Sequence, residues 1–164
     1  MHNTFVNEAL VDFTQPVNQE KMRVALQAVA ESLGQEYPLV IGGQRVWTEE
    51  KIASYNPSQK DQVVGYVSKA TADHVELAMI KAQEAFSAWK NVDPNARAAT
   101  LFRAAAILRR RKFEYAAWMI YETGKNWVEA DADVAEAIDF MEFYGREMIR
   151  LGGDQPLTRL RLKS

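Results

Sequence analysis

The sequence predicts an α+β chain: a small antiparallel β unit followed by several long helices. Three observations predict it. The glycine pair Gly42-Gly43 sits between two short β-rich runs, which is a hairpin signal. From Thr71 to about Leu151, apolar residues recur at steps of three and four, the period of a helix. The segments are separated by turn and breaker residues, namely Asn56-Pro57-Ser58, Asp93-Pro94, Gly124 and Gly152-Gly153.

Residues 1–17 show little periodicity and read as an irregular extension punctuated by Pro16. A helix is expected from Asn18, capped by that residue and stopped at Gly34. Met22, Ala25, Val29 and Leu33 share one face, and Glu20, Gln27 and Glu31 lie opposite. Such an amphipathic helix must lie on something. Extension and helix together occupy residues 1–36. The β unit spans residues 39–69, with a hairpin around Gly42-Gly43 and two further strands at 52–55 and 63–67.

Residues 71–151 are expected to be helical. Thr71 caps the first helix, whose stripe is Val75, Ala78, Met79, Ala82, Phe86 and Trp89. Asp93, followed by proline at the first helical position, opens a second. Its buried side runs through Leu101, Phe102, Ala105, Leu108, Ala116 and Ile120 until Gly124 breaks it. A third begins near Asn126, with Val134, Ile138, Met141, Gly145 and Met148 on one side.

The 164 residues suit one domain of ordinary size. Twenty basic residues against 22 acidic ones give a net charge of -2, which disfavours a general nucleic-acid binder. The absence of cysteine removes disulfides, thiolate nucleophiles and Cys-ligated metals. No apolar run approaches the roughly 20 residues of a membrane helix, and the first residues do not resemble a signal peptide. A cytoplasmic protein without membrane partners is the expectation.

Each candidate for chemistry has a plainer reading. Val46 and Trp47 follow the glycine pair as strand, so the pair is a hairpin turn rather than a phosphate cradle, which needs a helix start. Arg109, Arg110, Arg111 and Lys112 point in four directions and read as a solvated surface pairing with Glu114 or acids on a neighbour. His2 and His74 have no metal-ligand spacing. The third helix carries a dense acid set: Glu122 just before it, then Glu129, Asp131, Asp133, Glu136, Asp139 and Glu142. Glu136 has Val134, Ala135 and Ile138 as sequence neighbours and is expected to border the apolar face. There is no Gly-x-Gly-x-x-Gly and no Ser/His/Asp arrangement. The residues alone leave open a piece of an enzyme, a stand-alone helical interaction module, or a basic-tailed nucleic-acid binder.

Several stretches together resemble the amino-terminal region of aldehyde dehydrogenases. Leu39-Val40-Ile41-Gly42-Gly43-Gln44-Arg45-Val46-Trp47 is similar to the family's opening strand, turn and strand. Asn56-Pro57, Val63-Val64-Gly65, Ala85-Phe86-Ser87-Ala88-Trp89 and Glu122-Thr123-Gly124-Lys125 follow in the family's order. Gly124-Lys125-Asn126-Trp127-Val128-Glu129-Ala130 and Ala135-Glu136-Ala137-Ile138-Asp139-Phe140 resemble the 1-pyrroline-5-carboxylate branch, as does Gly34-Gln35-Glu36-Tyr37-Pro38-Leu39.

The resemblance covers most of residues 1–157, roughly the first third of a family member. It implies part of an α/β, Rossmann-like, NAD-binding domain and a homo-oligomeric enzyme that oxidises glutamate semialdehyde to glutamate. The family's catalytic cysteine, catalytic glutamate, oxyanion asparagine and main cofactor contacts lie farther along. The chain alone is therefore expected to bind no NAD and to be inactive. The resemblance places one functional position here: Glu136, near the amino-acid end of the substrate. Residues 158–164 depart from the family pattern as an atypical tail. In the family these helices cover a parallel cofactor-binding sheet absent from this chain, so their apolar stripes are expected to face solvent or self-associate.

Overall fold

The structure is a computed structural model and describes residues 4–153. The expected break between residues 157 and 158 lies outside these, as does His2. After an extended segment the chain forms α1 (Pro16–Ala30). Pro16 takes the first helical position and Gln15 the cap. Asn18, expected as the cap, sits one turn inside and donates its side-chain amide to Asp12 O at 2.9 Å. Proline at the first position has no N–H to leave orphaned, so it starts the helix earlier than the cap signal suggests. Gly34 does not stop α1, which ends four residues before it. Its φ of +76° turns the chain into a sheet, where its N–H donates to Val64 O at 3.0 Å.

The sheet contains β1 (Gln35–Tyr37), β4 (Lys51–Tyr55) and β5 (Val63–Ser68) in the order β1-β5-β4. A separate hairpin joins β2 (Leu39–Ile41) to β3 (Gln44–Val46). The two expected antiparallel pairings, β2–β3 and β4–β5, are present. A third, parallel, joins β1 to β5. Residues 35–37 are exposed and do not alternate, so no pattern announces β1. Gly42 and Gly43 have φ of +57° and +79°, the pair of positive values that a two-residue type I′ hairpin turn requires.

Four helices follow: α2 (Ala72–Trp89), α3 (Pro94–Arg110), α4 (Lys112–Thr123) and α5 (Trp127–Gly152). Asp93 caps α3 by accepting from the Asn95 N–H at 2.8 Å. Asn126 caps α5 by accepting from the Glu129 N–H at 3.0 Å. The expected second helix is in fact two. Arg111 leaves helical geometry (φ -107°, ψ 22°), and its N–H is shared between Ile107 O and Leu108 O. No glycine or proline marks this break, so the apolar period runs through it in sequence. Its consequence is spatial, because Lys112 becomes buried.

The core lies among α1, α3, α4 and α5, around Met22, Ala105, Ala116, Ala130, Val134 and Ile138. Helix α2 lies against β2 and has no buried residue. Along its expected stripe Val75, Met79, Phe86 and Trp89 are 59%, 56%, 59% and 48% exposed, so the stripe faces solvent.

Helices α3 and α5 approach closely at Gly145. A Cβ there would fall 2.5 Å from Phe102 Cε1. Gly145→Ala forces the ring or the helix to shift and is expected to cost about 1–3 kcal/mol, as overpacking does. Urea unfolding measures it; an unchanged midpoint would show that Phe102 yields freely.

Candidate functional site

Two features of α5 set its orientation. Val134, Ala135 and Ile138 face the core. Asp131 and Asp139 hold the amino-terminal extension. Asp139 accepts from the Glu8 N–H at 2.6 Å and the Asn7 side-chain amide at 2.7 Å. Asp131 is 3% exposed. It accepts from the Val11 N–H at 2.8 Å and pairs with Lys112 Nζ at 2.9 Å. Lys112 Nζ also donates to Ala9 O at 2.8 Å. A charge can be buried this way because each has a partner and further hydrogen bonds.

The other acids near and along α5 are mostly committed too. Glu142 meets Arg109 at 3.3 Å and Arg146 at 2.7 Å. Burial pushes the Glu142 carboxyl up, but hydrogen bonds from Arg146 and Arg109 outweigh it and hold the carboxyl below its ordinary value. Asp133 pairs with Lys125, and Glu122 accepts from the Ser54 hydroxyl at 3.3 Å. Glu136 is exposed, and among the described residues its side chain has no hydrogen-bond or ion-pair partner.

Glu136 does not border the apolar face. Successive residues turn about 100° around a helix, so Glu136 and Ile138 lie roughly 160° apart. Adjacency in sequence misled the expectation. Instead Glu136 heads a stripe with Phe140 and Tyr144, each one turn farther along. Both rings are more than half exposed, and they stack with centroids 5.9 Å apart and planes 18° apart. Phe143 meets Tyr144 edge-on and packs on Phe5 of the extension. The stripe offers a free carboxylate beside an aromatic surface, a combination that suits a cation.

The other candidates settle differently. In the basic run, Arg109 pairs with Glu8 and Glu142, and Arg111 with Glu114. Those two fit the expected solvated surface; buried Lys112 does not, because the break at Arg111 turns it toward Asp131. His74 serves a cap, its Nδ1 accepting from the Thr71 N–H at 3.1 Å. No His/Cys/Asp/Glu group among the described residues is arranged to hold a metal. Gly42 and Gly43 form a hairpin turn, not the start of a helix. No described helix is long and apolar enough to cross a membrane. Sequence reasoning missed the Lys112–Asp131 pair and the role of Asp139. Only the density of acids on one helix signalled that some had partners elsewhere.

Comparisons with known proteins agree with one another. A model described as the aldehyde dehydrogenase family matches residues 46–161. The 1-pyrroline-5-carboxylate dehydrogenase of Geobacillus kaustophilus is 54% identical over 157 residues, covering 96% of this chain and 30% of that protein. One such enzyme from Halalkalibacterium halodurans is 52% identical over 160 residues, covering 97% of this chain and 31% of the relative. This chain thus spans about a third of the length of the curated relatives it matches. Among solved structures, the Thermus 1-pyrroline-5-carboxylate dehydrogenase with bound NAD superposes with a TM-score of 0.86 at 47% identity. That match covers 88% of this chain and 28% of the other. Proline utilization A from Bdellovibrio bacteriovorus gives 0.90 at 40% identity, covering 92% of this chain and 16% of that one.

Proposed function

We propose a function from one premise: this chain belongs to the aldehyde dehydrogenase family. The chain is the amino-terminal portion of an NAD-dependent 1-pyrroline-5-carboxylate dehydrogenase. The whole enzyme oxidises L-glutamate γ-semialdehyde to L-glutamate in proline catabolism. The observation that carries this is 54% identity to an enzyme of that name across 96% of the chain. A stand-alone helical interaction module has no comparable support. A cytoplasmic location and a homo-oligomeric state belong to the same proposal.

The chemistry of such an enzyme needs a thiolate to attack the aldehyde carbon. This chain has no cysteine, so residues outside it must supply that nucleophile. Its glycine pair does not supply a phosphate cradle either. The glycine pair closes a hairpin, and no Gly-x-Gly-x-x-Gly precedes a helix. The redox step needs that nucleophile, so this reading assigns it, and with it the binding of NAD, to the rest of the polypeptide.

What this chain contributes is positioning. Glu136 attracts the ammonium group of the open semialdehyde, and Phe140 lies one turn away as an apolar floor. The core and the two anchored aspartates fix α5 in rotation, so Glu136 stays on its exposed face, and among the described residues no cation pairs with its carboxylate. A hydrogen bond to a charged group contributes about 1.5–3 kcal/mol.

The experiment joins residues 1–157 of this chain to the remainder of the Geobacillus kaustophilus relative. The chain alone is expected to give no NAD reduction with pyrroline carboxylate, and the chimera to give it. Glu136→Ala in the chimera is expected to lower kcat/KM about 10- to 100-fold, mainly through KM. Unchanged affinity and turnover would remove Glu136 from the substrate site. An inactive but folded chimera would count against the enzyme assignment itself.

A further inference from the structure

The amino-terminal extension meets α5 on the face that carries Glu136. Successive residues turn about 100° around a helix, so Asp139, Phe140, Phe143 and Tyr144 all lie within roughly 80° of Glu136 around the axis. Asp139 commits both carboxylate oxygens to the extension, accepting from Asn7 Nδ2 at 2.7 Å and from the Glu8 N–H at 2.6 Å. The Glu8 side chain pairs with Arg109 at 2.8 Å, and Arg109 reaches Glu142 of α5 at 3.3 Å. Farther along, buried Asp131 and Lys112 already hold the extension at Val11 and Ala9. Residues 5–8 are therefore fastened a second time, and to the Glu136 face.

Phe5 stands at the end of this fastening. Its ring meets Phe143 edge-on, with centroids 5.6 Å apart and planes at 78°. Phe143 meets Tyr144 edge-on at 5.4 Å, and Tyr144 stacks on Phe140 at 5.9 Å. A line of rings thus runs from the extension to Phe140, one turn from Glu136. Phe140, Phe143 and Tyr144 are each about half exposed, so the core does not hold them still. Exposed side chains exchange rotamers rapidly, and a ring neighbour favours one orientation. An aromatic pair shifts such an equilibrium by roughly two- to tenfold.

We propose that this second fastening positions the residues that meet the substrate's ammonium group. Phe5, held in place by Asp139, acts through Phe143 and Tyr144 to set the ring of Phe140 one turn from Glu136. The proposal rests on the reading that Glu136 receives that group. A carboxylate and a ring face on neighbouring turns attract one cation together. Phe5 and Asp139 are positioning residues, acting on the substrate only through the rings.

The test uses the chimera described above. It measures KM for pyrroline carboxylate and for NAD, and competitive inhibition by L-glutamate and by glutarate. Glutarate has the same chain without the ammonium group. Phe5→Ala is expected to raise KM for pyrroline carboxylate, and the inhibition constant of L-glutamate, about two- to tenfold. The values for kcat, for NAD and for glutarate should change little. Asp139→Ala should reproduce this pattern. Phe5→Tyr keeps the ring and should behave as the wild type. In a Phe140→Ala background, where the line of rings has lost its end, Phe5→Ala should add nothing further.

A Phe5→Ala effect equally large on L-glutamate and glutarate would overturn the proposal. So would an effect equally large with and without the Phe140 ring. An unchanged KM in Phe5→Ala, where Glu136→Ala raises it, would sink the positioning role and leave the enzyme reading standing. If Glu136→Ala itself leaves KM unchanged, the positioning role falls together with the Glu136 assignment. A folded, inactive chimera would sink the enzyme reading and this proposal with it.

Discussion

Asp131→Ala is expected to remove about 3–5 kcal/mol of stability, because it leaves Lys112 as an uncompensated buried charge. Against a typical net stability of about 5–15 kcal/mol, that is a large fraction. The substitution also deletes the acceptor of the Val11 N–H, so the extension should lift. Two measurements follow: a lower urea midpoint, and faster proteolysis within residues 4–15. The double variant Lys112→Met/Asp131→Leu separates the two effects. Replacing a buried ion pair by apolar side chains is often neutral. Here the Val11 N–H and Ala9 carbonyl would both lose partners, so the double variant should regain stability over Asp131→Ala yet keep a protease-sensitive extension. Wild-type stability in Asp131→Ala would show that the pair is dispensable.

The second large effect concerns α2. Val75, Met79, Phe86 and Trp89 lie on one side of a helix that buries nothing. Fully covering a large apolar side chain gains roughly 1.5–3 kcal/mol. Several such gains combined favour association of the isolated chain. Its sedimentation coefficient and thermal midpoint are expected to rise with concentration. Met79→Glu/Phe86→Glu should return it toward a monomer. A sharp transition at the same temperature across a wide concentration range, from a species that stays monomeric, would sink this expectation.

How much could be read from the sequence depended on whether a feature was local. The Gly42-Gly43 hairpin, the Asp93-Pro94 and Asn126 helix starts, and the end of α4 at Gly124 all follow from short stretches of chain. The start of α1 was misplaced because two start signals, Pro16 and Asn18, stand two residues apart and the proline prevails. The break at Arg111 has no residue signature, and β1 is defined by its partner β5 rather than by a pattern of its own.

For the site, helical geometry could have separated Glu136 from Ile138, since the angle follows from their spacing. The Lys112–Asp131 pair could not be found that way. It joins residues 19 positions apart through a break that no residue announces. The role given to Glu136 came from resemblance. The structure adds that its side chain is exposed and, among the described residues, unpartnered, one turn from the stacked rings of Phe140 and Tyr144.

Asp131, Asp139 and Lys112 grip the extension chiefly through its main chain, at the N–H groups of Glu8 and Val11 and the carbonyl of Ala9. A grip of that kind is blind to most side chains. Evolution can rewrite the letters of this segment widely while the spacing between its anchor points stays fixed. Proline at either donor position, or one residue gained or lost between them, would put the ladder out of step. Homologous segments should therefore diverge in composition far more than in length.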